Sequence, residues 1–277
     1  MKLVNEAAEF FVPDGTAVRD AFARTTDLCV SAHQDDAEIM AYGPIAECYR
    51  RPDHHFSLIV VTDGAGSSRA GLYTDVSDDQ MRRIRAAEQK SAASIGGYSA
   101  LALLSYKSSD VKQARPALLT ELSGLIALAC PDTLYTHSLA DKHHTHAACA
   151  LQVIEAVRLI PPDARPKRLV GCEAWRSLDW LPDSEKLLMD TSAYPNLSAT
   201  LLGVFDSQLH GKRYDSASLG RRLANATFMS GHSPDRYASC SYGLDMTPLI
   251  TDGGPTPEAF LSEKIEAFKA EALNLLK

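Results

Sequence analysis

The sequence has no long apolar run. None of its segments approaches the ~18 residues that a membrane-crossing helix requires, so no membrane span is expected. The opening stretch, MKLVNEAAEFFVPDG, sets Glu6 and Glu9 inside its apolar part. It lacks the continuous apolar core and small-residue cleavage site of a secretory signal, and a cytoplasmic protein is expected. No C-x-x-C pair occurs among Cys29, Cys48, Cys130, Cys149, Cys172 and Cys240, and most of them sit in apolar segments. They read as buried, reduced thiols. Positive charge is not in excess: the net charge is −7, which argues against a nucleic-acid partner held through its phosphates. The first apolar strand is not followed by a glycine-rich turn. Acidic residues stand there instead and would repel a pyrophosphate, which disfavours a nucleotide-binding oxidoreductase. The loop Gly64–Gly71 lacks the GK[ST] of a phosphate-binding loop.

What is present is an ordinary globular composition in 277 residues, 45% hydrophobic and 23% charged, enough for one large domain. Apolar, β-branched runs predict buried strands at Leu28–Ala32, Ser57–Thr62, Leu101–Leu104, Thr133–Thr136 and Arg168–Cys172. Helical patterns lie between them. One spans Asp36–Arg51 with a kink or restart at Gly43-Pro44, and another spans Asp78–Ile95, capped by Ser77 and stopped by Gly96-Gly97. Two more span Pro116–Ala129 and Ala147–Leu159. Residues 1–26 read as an amphipathic lead-in with a turn at Pro13-Asp14-Gly15. The alternation implies βαβ units: a Rossmann-like α/β fold, with a mostly parallel sheet flanked by helices. The core covers about 27–173. A smaller, less regular C-terminal portion, about 174–277, packs on it within a single domain. It carries helices near Leu197–Leu209, Ala217–Thr227 and Pro257–Leu276, and the amphipathic last one allows a homo-oligomer contact.

Right-handed crossovers set the tips of all the parallel strands along one edge, where open α/β sheets bind ligands. Two ligand-rich stretches fall on that edge. The first is Ser31-Ala32-His33-Gln34-Asp35-Asp36-Ala37-Glu38, which follows the first strand. The second runs from Thr136 to His146, after the fourth strand, and holds His137, His143, His144 and His146. A catalytic zinc takes three ligands from His, Asp or Glu and leaves one position open. His33, Asp36 and His146 would supply two imidazoles and a carboxylate. Adjacent side chains diverge, so Asp35 is free to act as general base. His143 would sit beside the metal, to steady an oxyanion or protonate a leaving amine. A plainer reading makes Asp35-Asp36 a helix cap and the histidines a solvated loop, with His137 and His144 as bystanders.

These residues resemble the LmbE-like (PIG-L type) zinc-dependent de-N-acetylases. The family's H-P-D-D stands here as His33-Gln34-Asp35-Asp36, its R-x-x-E as Arg85-Ala86-Ala87-Glu88, and its H-P-D-H as His143-His144-Thr145-His146. A strand ending Thr62-Asp63-Gly64 also matches, and the resemblance covers about residues 27–160. It implies His33, Asp36 and His146 as ligands of zinc (Zn2+), with Fe2+ also suited to the set. It implies Asp35 as general base, His143 as oxyanion stabiliser or acid, Arg85 as a substrate-contacting arginine and Asp110 as an acidic sugar contact. The implied reaction is removal of the N-acetyl group from an N-acetylglucosamine-type amino sugar or its small-molecule conjugate, releasing acetate. Hydrolysis of another small amide and metal binding without catalysis are the alternatives. Gln34 departs from the family's proline, and His144-Thr145 from its Pro-Asp. Trp175 and Trp180 fit either sugar stacking or core packing.

Overall fold

The computed structural model describes residues 3–277. A short strand β1 (Glu9–Phe11) and helix α1 (Val18–Ala23) open the chain. The first expected strand follows as β2 (Asp27–Ser31), and after it α2 (Asp36–Met40) and α3 (Tyr42–Cys48). The alternation continues through β3 (Phe56–Thr62), α4 (Asp78–Gly96), β4 (Ala100–Tyr106) and α5 (Ser108–Lys112). It runs on through α6 (Pro116–Ala129), β5 (Thr133–His137), α7 (His144–Arg158) and β6 (Arg168–Cys172). The C-terminal portion holds β7 (Lys186–Asp190), α8 (Pro195–Gly203), α9 (Asp206–Leu209), α10 (Tyr214–Phe228), β8 (Cys240–Asp245) and α11 (Pro257–Asn274).

The strands form one sheet in the order β1-β4-β3-β2-β5-β6-β8-β7. The central run from β4 to β6 is parallel, and β1, β8 and β7 join it antiparallel. From β2 the chain builds outward through β3 and β4, then crosses back to add β5 and β6 on the other side. The gap between the tips of β2 and β5 is therefore the switch point at which a parallel sheet offers a crevice. Both faces are buried. Leu28, Val30, Ile59 and Val61 point into one core, and Cys29, Leu58 and Val60 into the other. That two-sided burial is why the central strands read as unbroken apolar runs.

Four expectations change. The helix over 36–51 is two helices that break at Ala41. Pro44 has no N–H to offer the Met40 carbonyl, so of the expected kink or restart the structure shows a restart, placed at Ala41 and ahead of Gly43-Pro44. The helix over 197–209 is also two, parted where Phe205 turns into the core. Helix α7 begins at His144 and not Ala147, so His146 sits on a helical turn and not in a loop. The C-terminal portion does not merely pack on the sheet: β8 pairs with β6, and β7 with β8. Strand β8 is polar and interrupted by Gly243, where a Cβ would stand 2.7 Å from Val170 Cγ1. Close packing there demands glycine at the cost of the apolar signal.

Helix α4 follows its local chemistry closely. Ser77 and Gln80 form a reciprocal capping box, and Gly97 closes the helix with φ 65°. All six cysteines are free, and only Cys130 is exposed. Among the described residues no helix is long and apolar enough to cross a membrane. Helix α11 buries Phe260 and leaves Ile265 and Phe268 exposed, the face a subunit contact would use.

Candidate active site

The turn from β2 into α2 is tight because Asp35 adopts a left-handed backbone, φ 83°. Aspartate tolerates this region better than most residues with a Cβ. The Asp35 N–H donates to Gln89 Oε1 at 3.2 Å, and the His33 N–H donates to Asp36 Oδ2 at 2.7 Å. The Gln34 amide donates to the Thr62 carbonyl at 3.1 Å and ties the turn to the tip of β3. The side chain thus restrains a turn whose φ a proline would have fixed. Gly64 lies against the same turn, where a Cβ would come within 2.6 Å of Gln34 Oε1.

Across the switch point, α7 presents His146 from its first turn, with His143 at the cap. His33 Nδ1 lies 3.2 Å from His146 Nε2 and 3.2 Å from Asp36 Oδ2, and His146 Nε2 lies 3.4 Å from Asp36 Oδ1. Burial drives the His146 imidazolium down to about 4, so the ring is neutral. Burial alone would raise Asp36, but the imidazoles of His146 and His137 outweigh it and hold the carboxylate well below its usual range. Two imidazole nitrogens and a carboxylate thus converge at these separations. Tetrahedral bonds of ~2.0–2.1 Å put neighbouring ligand atoms about 3.3–3.4 Å apart, and the triangle fits a small divalent ion. The two imidazoles and the carboxylate could hold a divalent ion.

Two residues that the sequence left unassigned support this trio. His137, read as a bystander, is fully buried and stacks on His146 with ring centroids 4.0 Å apart. Its Nε2 accepts the Ala32 N–H at 2.9 Å and lies 3.4 Å from Asp36 Oδ2, so His137 would have to give up that N–H to join Asp36 and His146 around an ion. Asp141 Oδ1 faces His146 Nδ1 at 3.4 Å, and the same carboxylate accepts the N–H of His143 at 2.7 Å and of Trp175 at 2.9 Å. A carboxylate behind a ligating histidine fixes its tautomer and strengthens it as a ligand. Asp141→Asn is therefore expected to weaken divalent-metal affinity by about 10–100-fold, read by competition with a chelator. Unchanged affinity would remove Asp141 from that role.

Asp35 stands beside the trio but apart from it. Burial pushes its carboxyl up to about 6 even though Arg85 pulls the other way. Arg85 is almost wholly buried. Its guanidinium lies 3.0 Å from Asp35 Oδ2, donates to the Gln34 carbonyl, and reaches Glu88 at 3.5 Å. Glu88 in turn accepts the Ser207 N–H and hydroxyl at 2.8 Å, anchoring α9. The R-x-x-E pair thus supports the site as well as lining it. His143 is held below its ordinary value, by burial first and by His33 second.

An open groove runs over these groups. His33, Asp35, Arg85 and His143 line it, with Gly64–Ser68, Ser108, Lys112, Gln208, Trp175 and Tyr214 around them. The structure brings six of the seven sequence-derived residues together. Asp110 is the exception: it pairs with Arg115 at 3.2 Å and lines a different groove, beside Asp63 and Arg82. Ser108 and Lys112 of the same helix face the site instead. Arg69, in the serine-rich loop, turns back onto the Ala65 and Ser67 carbonyls. The two tryptophans divide: Trp175 walls the groove, and Trp180 packs edge-on against Phe268. His144 is exposed.

The fold is shared with solved structures of low identity. One is the conserved protein TT1542 from Thermus thermophilus, 17% identical over 80% of this chain and 94% of that one, with TM-score 0.64. Another is the 4-carboxy-2-hydroxymuconate hydratase GalB from Pseudomonas putida, at 16%, 80%, 96% and 0.62. A third is the N,N'-diacetylchitobiose deacetylase from Pyrococcus horikoshii, at 15%, 88%, 92% and 0.65. No curated protein matches by sequence. A hydratase and a deacetylase on one fold mean that the fold does not choose the chemistry. The family model for PIG-L, GlcNAc-PI de-N-acetylase, matches residues 28–157. That span contains His33, Asp35, Asp36, Arg85, His143 and His146, and over it the chain is similar to the PIG-L family.

Proposed function

We propose that the protein is a metal-dependent hydrolase that removes the N-acetyl group from an N-acetylglucosamine-type amino sugar or its conjugate. The observation that carries this reading is the convergence of His33, Asp36 and His146 within 3.2–3.4 Å, with Asp35 beside them at the floor of an open groove. A divalent ion held by the three, zinc in the finer reading and Fe2+ as the other ion that the set suits, supplies Lewis-acid polarisation and acidifies water.

The chain's own residues do the rest. Asp35 Oδ2 is engaged by Arg85, and Oδ1 is left to take the proton of the attacking water. A carboxyl raised to about 6 by burial is a better base near neutral pH than an exposed aspartate. The proton then passes from Asp35 to the departing amine, and acetate and a free amino sugar remain. His143, kept neutral, offers an N–H to the developing oxyanion. The serine hydroxyls, the Gln208 amide and the rings of Trp175 and Tyr214 suit a sugar, which needs many hydrogen bonds and a flat face. Acetate release from N-acetylglucosamine and a panel of its conjugates tests the reading. Release from at least one is expected, and none from metal-replete protein would shift the substrate to another amide.

A further inference from the structure

A second cavity, more enclosed than the groove, adjoins the ligand cluster. It shares Asp36, Trp175 and Tyr214 with the groove, and its other walls are Ile39, Ala174 and Ala217 together with the polar residues Glu173, Ser218, Arg221, Arg222 and Ser241. The three charged residues peculiar to this cavity are engaged elsewhere. Glu173 accepts from Asn225, from the Ser177 hydroxyl and from the N–H groups of Leu178 and Tyr242. Arg222 donates to Ser198 and to the Glu38 and Ile39 carbonyls, and Arg221 to the Ala174 carbonyl. What faces the space is mainly aliphatic and aromatic.

An amide presents two substituents to the ligand cluster, one on nitrogen and one on the carbonyl carbon. The polar groove suits the sugar on nitrogen. The apolar cavity suits the acyl side. An acetyl group puts only one methyl beyond the carbonyl. The cavity volume is about 70 Å³, against a ~30 Å³ share for one water-sized group, so a single methyl leaves part of it unfilled. Unfilled apolar space forfeits the burial that a longer chain would gain.

We propose that this cavity is an acyl subsite, and that N-acyl amino sugars with an unbranched chain longer than acetyl, butanoyl to hexanoyl, are better substrates than the N-acetyl compound. This rests on the amide-hydrolase reading above and refines its substrate. In the reaction the amide C–N bond breaks, a C–O bond to water forms, one water proton goes to the departing amine, and a short-chain carboxylic acid leaves.

The test compares kcat/KM for N-acetyl-, N-butanoyl-, N-hexanoyl- and N-decanoyl-glucosamine with metal-replete protein. Each buried methylene is expected to add about fourfold, so butanoyl should exceed acetyl by about 15-fold and decanoyl should fall back. Ala217→Phe, at an exposed position on the cavity rim, should bring the butanoyl-to-acetyl ratio to about one or below. The ratio does not depend on how much of the variant folds. Efficient acetate release with butanoyl equal or slower would overturn the inference and leave the hydrolase reading standing. So would a high ratio unmoved by Ala217→Phe. Release of no acid from any of the four would remove the amino-sugar reading, and this inference with it.

Discussion

Asp35→Asn is expected to lower kcat/KM for amide hydrolysis about a thousandfold, within the ~10²–10⁴ that a positioned general acid–base supplies, while bound metal stays stoichiometric. Asparagine has the shape of aspartate and accepts the left-handed backbone at this position, so the turn survives. Arg85 loses one partner but keeps the Gln34 carbonyl and Glu88. The three ligand side chains are untouched. The amide loses only the ability to take a proton, which is the property under test. Full activity in this variant would remove Asp35 as the base. Loss of activity together with metal would place it among the ligands.

His146→Ala is expected to have the other large effect: metal content far below stoichiometric, and hydrolysis at background. His146 is the residue on which the cluster depends. Its Nε2 faces both His33 and Asp36, its Nδ1 faces Asp141, and its ring stacks on His137. Truncation leaves two of the three proposed ligands and strips the buried carboxylates of Asp36 and Asp141 of an imidazole partner. The loss should exceed the ~10–100-fold that an outer partner such as Asp141 costs. His144→Ala is the control, because that side chain is exposed and makes no hydrogen bond among the described residues. Elemental analysis reads the metal, and a melting curve shows whether each variant is folded. A His146→Ala protein with full metal would take His146 out of the coordination set.

Much of this arrangement is legible in the chain. Leu58–Val61 reads as a strand buried on both faces, and β2 and β4 carry similar runs. Once those strands are in place, the tips at His33 and His146 must share an edge. The antiparallel strands are less legible. Three-residue β1 is too short for a periodicity, and β8 gives up apolar content to let Gly243 approach Val170.

Inside the site, the proposed ligands are legible as residue types after strands, and their supports are not. Asp141 looks like one more loop acid, yet its carboxylate collects three backbone N–H groups and faces His146. His137 looks like a bystander because nothing local shows that β5 ends at the switch point. Asp110 fails on helical phase. In α5, residues 108 and 112 are one turn apart and share a face, and residue 110 points roughly the opposite way. Trp175 and Trp180 are alike in sequence context. Only the path of the chain after β6, with the Trp175 N–H bound to Asp141, brings one to the groove and leaves the other on α11.

The most direct measurement is acetate release from the best substrate of the N-acetylglucosamine panel, before chelation, after chelation, and after zinc or Fe2+ is returned. Release that falls to background on chelation and returns with one stoichiometric divalent ion is the predicted result. Release that persists undiminished in protein shown by elemental analysis to hold no metal would contradict it, because Asp35 and His143 would then be acting without the ion that His33, Asp36 and His146 are arranged to hold.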